Sequence, residues 1–136
     1  MATIFSRIMA GEIPCHKIAE DGEFFAFLDI NPLAPGHTLV VPREEIDYFF
    51  DMDDARLGRM MAFAKKVSVA LERTLPCRKV GLSVIGLEVP HAHIHLIPLN
   101  KEEDIHFGKP KNSPSGEELA ALAEKIRLAY GEIKLH

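Results

Sequence analysis

Apolar residues recur along this chain at two spacings, and the change from one to the other marks out its elements. Thr3 to Ala10 predicts a short helix with Ile4, Phe5 and Ile8 on one side, ended by Gly11 and Pro14. Three strands follow: His16 to Glu20, Glu23 to Ile30 (EFFAFLDI) and His37 to Pro42 (HTLVVP). The last two are separated by the turn-rich Asn31-Pro32-Leu33-Ala34-Pro35-Gly36. Asp53 or Asp54 caps a long helix to about Thr74, with Leu57, Met60, Met61, Ala64, Val67 and Leu71 as its apolar stripe. The methionines read as core packing rather than a ligand surface. Arg78 to Ile85 predicts a fourth strand, Gly86 a turn, and His91 to Ile97 a fifth strand. Residues 100–114 are polar, contain proline and read as irregular. Ser115-Gly116-Glu117-Glu118 is a capping box for a last helix that buries Leu119, Leu122, Ala123 and Ile126. Hairpins and loops around one inserted long helix predict an α+β fold: a five-stranded antiparallel sheet with helix on one side only.

The fifth strand carries the chemistry. Pro90-His91-Ala92-His93-Ile94-His95-Leu96-Ile97-Pro98 holds three histidines at two-residue spacing, the period of a strand, so all three imidazoles share a face opposite Ala92, Ile94 and Leu96. At 7 His in 136 residues, roughly 0.02 such triplets are expected by chance. Three costly polar groups over an apolar back face therefore need a chemical reason, and imidazoles can serve as nucleophile, acid or base near neutral pH. Metal binding is the alternative. Neighbouring His Cα atoms lie ~6.6 Å apart and the outer pair ~13 Å apart along a flat strand, whereas Zn–N bonds are only ~2 Å. One ion cannot easily take all three, but a two-His site completed by His37, His106 or a carboxylate stays open.

Composition narrows the partners. A chain of 136 residues suits one domain, 1–136, with a core that needs no disulfide or metal staple. Net charge −4 argues against a nucleic-acid polymer as ligand but leaves room for a small phosphorylated one. Cys15 and Cys77 form no CxxC motif and read as two reduced thiols of an intracellular protein. No stretch has the apolar length of a signal peptide or a membrane span, so no membrane partner is expected and cytoplasm is the default.

The motif His91 to Ile97, His-x-His-x-His followed by apolar residues, resembles that of the histidine triad (HIT) superfamily, closest to its Hint-like and bacterial branch. Thr3-Ile4-Phe5-Ser6-Arg7-Ile8 and Gly11-Glu12-Ile13-Pro14 look like that family's N-terminal helix, and Phe27 through His37 like its purine-ribose segment. The likeness covers roughly residues 3–107, leaving 108–136 as a C-terminal tail and helix. It implies a nucleotide hydrolase that acts at the α-phosphate of a purine nucleotide phosphoramidate or anhydride, such as an AMP or GMP conjugate. His93 would be the nucleophile and hold a nucleotidyl-imidazole intermediate. His95 would protonate or hydrogen-bond the leaving group. His91 would orient and polarise His93, helped by His37, and backbone N–H groups around Val89 to His91 would contact phosphate. Asp29 would take the ribose hydroxyls, and Ile4, Phe5, Ile8, Phe27 and Ile30 would sandwich the base.

The resemblance also implies a homodimer, paired through the long helix and a strand edge, and no cofactor or catalytic metal. Thr3 and Ser6 stand where many bacterial relatives carry the cysteines of a structural zinc, which this chain cannot build that way. The segment Ser83 to Val89 is short and lacks the Asn-rich turn of Hint-like members. Leu99-Asn100 follows Ile97-Pro98 where many relatives carry Arg, which implies leaving groups without extended negative charge. Two readings stay beside the phosphoramidase: a nucleotide-binding regulatory protein with little turnover, and a dinucleoside polyphosphate hydrolase.

Overall fold

The computed structural model describes residues 2–133. Its strands are β1 (Lys17–Glu20), β2 (Phe24–Leu28), β3 (Thr38–Pro42), β4 (Lys79–Ser83) and β5 (Ile94–Leu99); its helices are α1 (Ile4–Met9), α2 (Asp54–Thr74) and α3 (Gly116–Glu132). The strands form one open sheet in the order β1-β2-β3-β5-β4, every neighbouring pair antiparallel. The expected five-strand α+β architecture is what forms.

Local chemistry starts the helices where the sequence says it should. Asp53 Oδ1 accepts the Arg56 N–H at 2.7 Å to open α2, and Ser115 and Glu118 close a reciprocal capping box on α3. The buried stripe of α2 is Met60, Phe63, Ala64, Val67, Ala70 and Leu71. Met61, expected inside, is turned out and 45% exposed, while Phe63 takes the core position against Phe24, ring centroids 5.8 Å apart. Both helices pack on one face of the sheet, over Phe24, Ala26, Leu28, Val40, Ile94 and Leu96.

The opposite face is covered too, against expectation. Every residue of β2 and β3 is buried, because Phe5 of α1 packs on Phe25, Phe27, Leu39 and Val41. The unbroken apolar run Phe24–Leu28 already carries that signal, since a strand with one wet face alternates polar and apolar. A third apolar cluster joins Leu33, Ala34 and Ile97 to Leu99, Ile105 and Phe107. The 100–114 segment is therefore not loose. It holds a 3-10 turn over Glu102–Ile105, in which Asp104 accepts the N–H groups of Asn100 and Lys101 at 2.9 and 3.1 Å.

The fifth strand starts later than the histidine pattern suggests. Its ladder with β3 begins at Val40↔Ile94, so His95 alone of the three lies within β5. Pro42, at the end of β3, has no N–H to offer, and Ala92 N–H instead bonds Ile46 O at 2.7 Å. The in-out alternation survives this change of partner: Ala92, Ile94 and Leu96 enter the helix-side core. The flat-strand geometry assumed for all three histidines holds only from Ile94 onward.

Candidate active site

The three imidazoles sit almost wholly inside the protein, with His91 at 0%, His93 at 7% and His95 at 9% exposure. His93 and His95 stand edge to face with ring centroids 4.8 Å apart, and Phe5 closes over the His93 ring at 4.9 Å. His37 arrives from the adjacent strand boundary, delivered by Gly36. That glycine has φ +88°, and a Cβ there would crowd the Leu75 and Pro98 side chains, so any other residue would be strained in the turn. His37 N–H bonds Ala34 O and its carbonyl takes the Asp29 N–H, which locks loop and strand together.

Hydrogen-bond partners assign the tautomers of the neutral rings. His93 Nδ1 lies 2.9 Å from the His91 carbonyl, which can only accept. The proton is therefore on Nδ1, and Nε2 keeps a bare lone pair. On the far side Leu33 N–H donates to His37 Nδ1 at 3.1 Å, so His37 carries its proton on Nε2 and donates it to His95 Nδ1 at 3.0 Å. His95 then presents an Nε2–H. His91 donates Nε2–H to Pro42 O at 2.7 Å and accepts at Nδ1 from the Thr3 hydroxyl at 2.7 Å. One row thus holds a bare nitrogen on His93 beside a donor on His95.

Burial is the main force on the charge states. It holds the His93 ring below the ordinary imidazole value, partly opposed by the hydrogen bond to the His91 carbonyl. Burial pushes His95 down to about 3, aided by the neighbouring His93, His37 and Lys111. It takes His37 to about 4, with Asp29 pulling the other way. All three therefore stay neutral at physiological pH.

The expected site residues are only partly brought together. His37 pairs with His95 rather than with His93, and what orients His93 is the backbone carbonyl of His91, not its ring. Asp29 is 24% exposed; its Oδ1 accepts the Asn31 N–H at 2.9 Å as a turn residue does, and its Oδ2 lies 3.8 Å from His37 Nε2. Phe5 and Phe27 meet at 5.8 Å with Ile8 packed against them, whereas Ile4 and Ile30 are 48% and 59% exposed. Around Val89 the backbone offers less than expected. Pro90 has no N–H, and that of His91 turns back onto Val89 O at 2.8 Å, which leaves the Val89 amide as the donor of this stretch.

Asp29, His37 and His95 each bring one ligand atom within 4.8 Å of the others, the one such cluster among the described residues. The direct His37–His95 hydrogen bond uses two of those nitrogens, so an ion there would have to break it. His106 is exposed and stands apart from the cluster.

Sequence reasoning missed Thr3 and Phe107 as contributors, and named Lys111 only beside Lys101 and Lys109 as a tail lysine that could partly compensate for Leu99. Thr3 caps α1 through its side chain and also reaches His91, while its N–H and the Ser6 hydroxyl hold Glu45. At the two positions where cysteines were absent, hydrogen bonds thus tie the start of α1 to His91 through Thr3 and to Glu45 through Ser6. Phe107 stands edge-on to His95 at 4.8 Å, and Lys111 bears electrostatically on both His37 and His95. A lone aromatic in a polar tail was the available signal. Leu99, read as facing the leaving group, is instead half-buried in the apolar cluster with Ile105 and Phe107.

An open five-stranded antiparallel sheet, with α2 and α3 on one face and a row of imidazoles buried beneath α1 on the other, defines a protein of the histidine triad class. The chain belongs to the HIT family, since the HIT domain model matches residues 10–102. A HIT-like protein of Borreliella burgdorferi is 40% identical over 98% of this chain and 96% of its own length. An adenosine 5'-monophosphoramidase of Schizosaccharomyces pombe is 36% identical over 93% of this chain and 96% of its own. Among solved structures, a Hit-like protein of Bartonella henselae described as involved in cell-cycle regulation superposes with TM-score 0.79 at 30% identity, covering 93% of this chain and 95% of its own.

Proposed function

We propose that this protein is a nucleotide hydrolase that cleaves adenosine 5'-phosphoramidates through a covalent intermediate on His93. The observation that carries the reading is the bare Nε2 of His93 beside the Nε2–H of His95. The former attacks the α-phosphorus, forming an N–P bond as the bond to the leaving amine breaks. The amine takes its proton through His95 Nε2. Water then displaces His93 from phosphorus and returns that proton, so one water is consumed and AMP released. Splitting the displacement in two lowers each barrier, and a donor already oriented costs no reorganisation as charge develops. A pure nucleotide binder has no use for an oriented, unprotonated imidazole, which favours turnover over the regulatory alternative. The phosphoramidase relative from Schizosaccharomyces pombe supports the amine as leaving group.

Asp29 and the Phe5–Phe27 wall take the ribose and the base in this reading. We further infer a homodimer through the β4 edge and the outward face of α2. Tyr48, Phe50, Met61, Leu82, Ile85 and Leu87 are all exposed there, Leu87 at 89%. The decisive experiment is a single-turnover incubation with radiolabelled adenosine phosphoramidate, quenched in alkali. An acid-labile adduct mapped to the His93 peptide is the expected result, and full turnover without any adduct would remove the covalent mechanism.

A further inference from the structure

The carbonyl that fixes the His93 tautomer belongs to a fully buried residue whose ring is held at both nitrogens. His91 Nε2–H donates to Pro42 O at 2.7 Å, and a carbonyl can only accept, so Nδ1 is left to accept from the Thr3 hydroxyl at 2.7 Å. That hydroxyl has one proton. Given to His91, it leaves the oxygen able to accept Ser6 N–H at 3.1 Å, while the Ser6 hydroxyl donates its own proton to Glu45. The other contact open to the Thr3 proton, the Ser6 hydroxyl oxygen at 3.3 Å, is longer and would strand a buried ring nitrogen. Glu45, itself exposed, also accepts Thr3 N–H at 2.8 Å. Backbone supplies the rest of the frame. Ala92 N–H bonds Ile46 O at 2.7 Å, and the planar trans peptide then turns the His91 carbonyl the opposite way, to His93 Nδ1 at 2.9 Å.

We propose that Thr3 is a positioning residue for the nucleophile: its hydroxyl, with Glu45 holding its backbone, keeps His91 in the Nε2–H tautomer and so keeps the His91 carbonyl aimed at His93. The inference rests on the hydrolase reading above and adds to it two residues that act through His91. Without the hydroxyl, a fully buried ring nitrogen has no donor. Relief comes from moving the His91 proton to Nδ1, which sets a bare Nε2 against the Pro42 carbonyl and turns the ring, and with it the peptide that orients His93.

Long-range 1H–15N correlation spectra of the protein without substrate read each tautomer directly. Wild type should show Nε2–H on His91 and Nδ1–H on His93, each as a single form. Thr3→Val keeps the side chain's shape without its hydroxyl. It should show mixed tautomers on both rings and lower kcat for an adenosine phosphoramidate roughly tenfold, with KM changed less than about twofold. A merely structural loss of the α1 cap would act differently, loosening Phe5 of the base wall and raising KM. Thr3→Ser restores the hydroxyl and should keep the wild-type spectra, with kcat within about twofold. Glu45→Ala, at an exposed position, should lower kcat about threefold in the same sense, and it keeps the test open should Thr3→Val fold poorly. Thr3→Val spectra identical to those of wild type, or a rise in KM with kcat unchanged, would overturn the role of Thr3. Wild-type protein with the stated tautomers and no turnover would overturn the hydrolase reading, and the spectra would still decide whether Thr3 holds His91 and His93.

Discussion

His93 owes its reactivity to a neighbour's backbone rather than to another side chain. The His91 carbonyl pins Nδ1–H and so commits Nε2 to the open side of the site. His93→Ala should therefore cut turnover of an adenosine phosphoramidate by roughly 10⁴ or more, over ~5 kcal/mol of transition-state stabilisation. AMP affinity by calorimetry should change far less, because Asp29 and the Phe5–Phe27 wall are untouched; activity within tenfold of wild type would refute the assignment. The depressed imidazoles also fix the sign of the pH response. The unfolded chain protonates its histidines near 6.5, while burial in the fold lowers all three, His37 to about 4 and His95 to about 3. The unfolded state thus binds more protons in this range. The stability these rings contribute is present above about pH 6.5 and is lost as pH falls toward about 4. Urea midpoints should drop from about pH 7.5 to about pH 5, while kcat/KM should stay level through about 6.5 and fall only at lower pH. An acid limb centred at the ordinary imidazole value would show that His93 is not desolvated as described.

At the scale of elements, the site is a meeting of ends. The boundary of β3 brings His37, the entry to β5 brings the triad, α1 brings Phe5 and Thr3, and the segment after β5 brings Phe107. Gly36 is the joint on which this depends, as both its positive φ and the nearness of Leu75 and Pro98 disfavour a side chain. Gly36→Ala should destabilise the fold by about 1–3 kcal/mol from backbone strain alone, with steric displacement of the loop added. Because the loop carries the Leu33 N–H that sets the His37 tautomer, activity should fall further than stability explains. Thermal melts beside kcat measured well below the transition separate the two effects. A variant with unchanged melting and full activity would show that the turn is not under this constraint.

For the whole molecule, six of the exposed large apolar side chains, Tyr48, Phe50, Met61, Leu82, Ile85 and Leu87, line one shared cavity. An interface of standard size takes ~800 Å² from each partner, and the aromatic and aliphatic side chains around Tyr48, Phe50 and Leu87 are of the kind that anchor one. Sedimentation should give twice the chain mass of 15.2 kDa. Leu87→Lys combined with Phe50→Lys should shift the species toward monomer without lowering the circular dichroism signal of the fold. A wild-type protein that stays monomeric at tens of micromolar would leave this surface without its proposed partner copy.

What the sequence by itself determined is whatever depends on period and local chemistry. The capping boxes, the helical stripe from Met60 to Leu71, the five strands and the His-x-His-x-His row are all legible because neighbours in the chain create them. Even the double-sided burial of β2 was written in the run Phe24–Leu28. The tertiary structure alone decided who faces whom. His37 meets His95 because β3 lies beside β5 in the sheet, a pairing 58 residues apart in the chain. The start of β5 at Ile94, the outward turn of Met61 and the burial of Leu99 follow from partners that no local pattern names. Phe107 and Lys111 looked like tail residues because polar composition describes a segment's solvent preference, not the surface it is tied to. Spacing determines which side chains share a face; only the packed chain determines what that face touches.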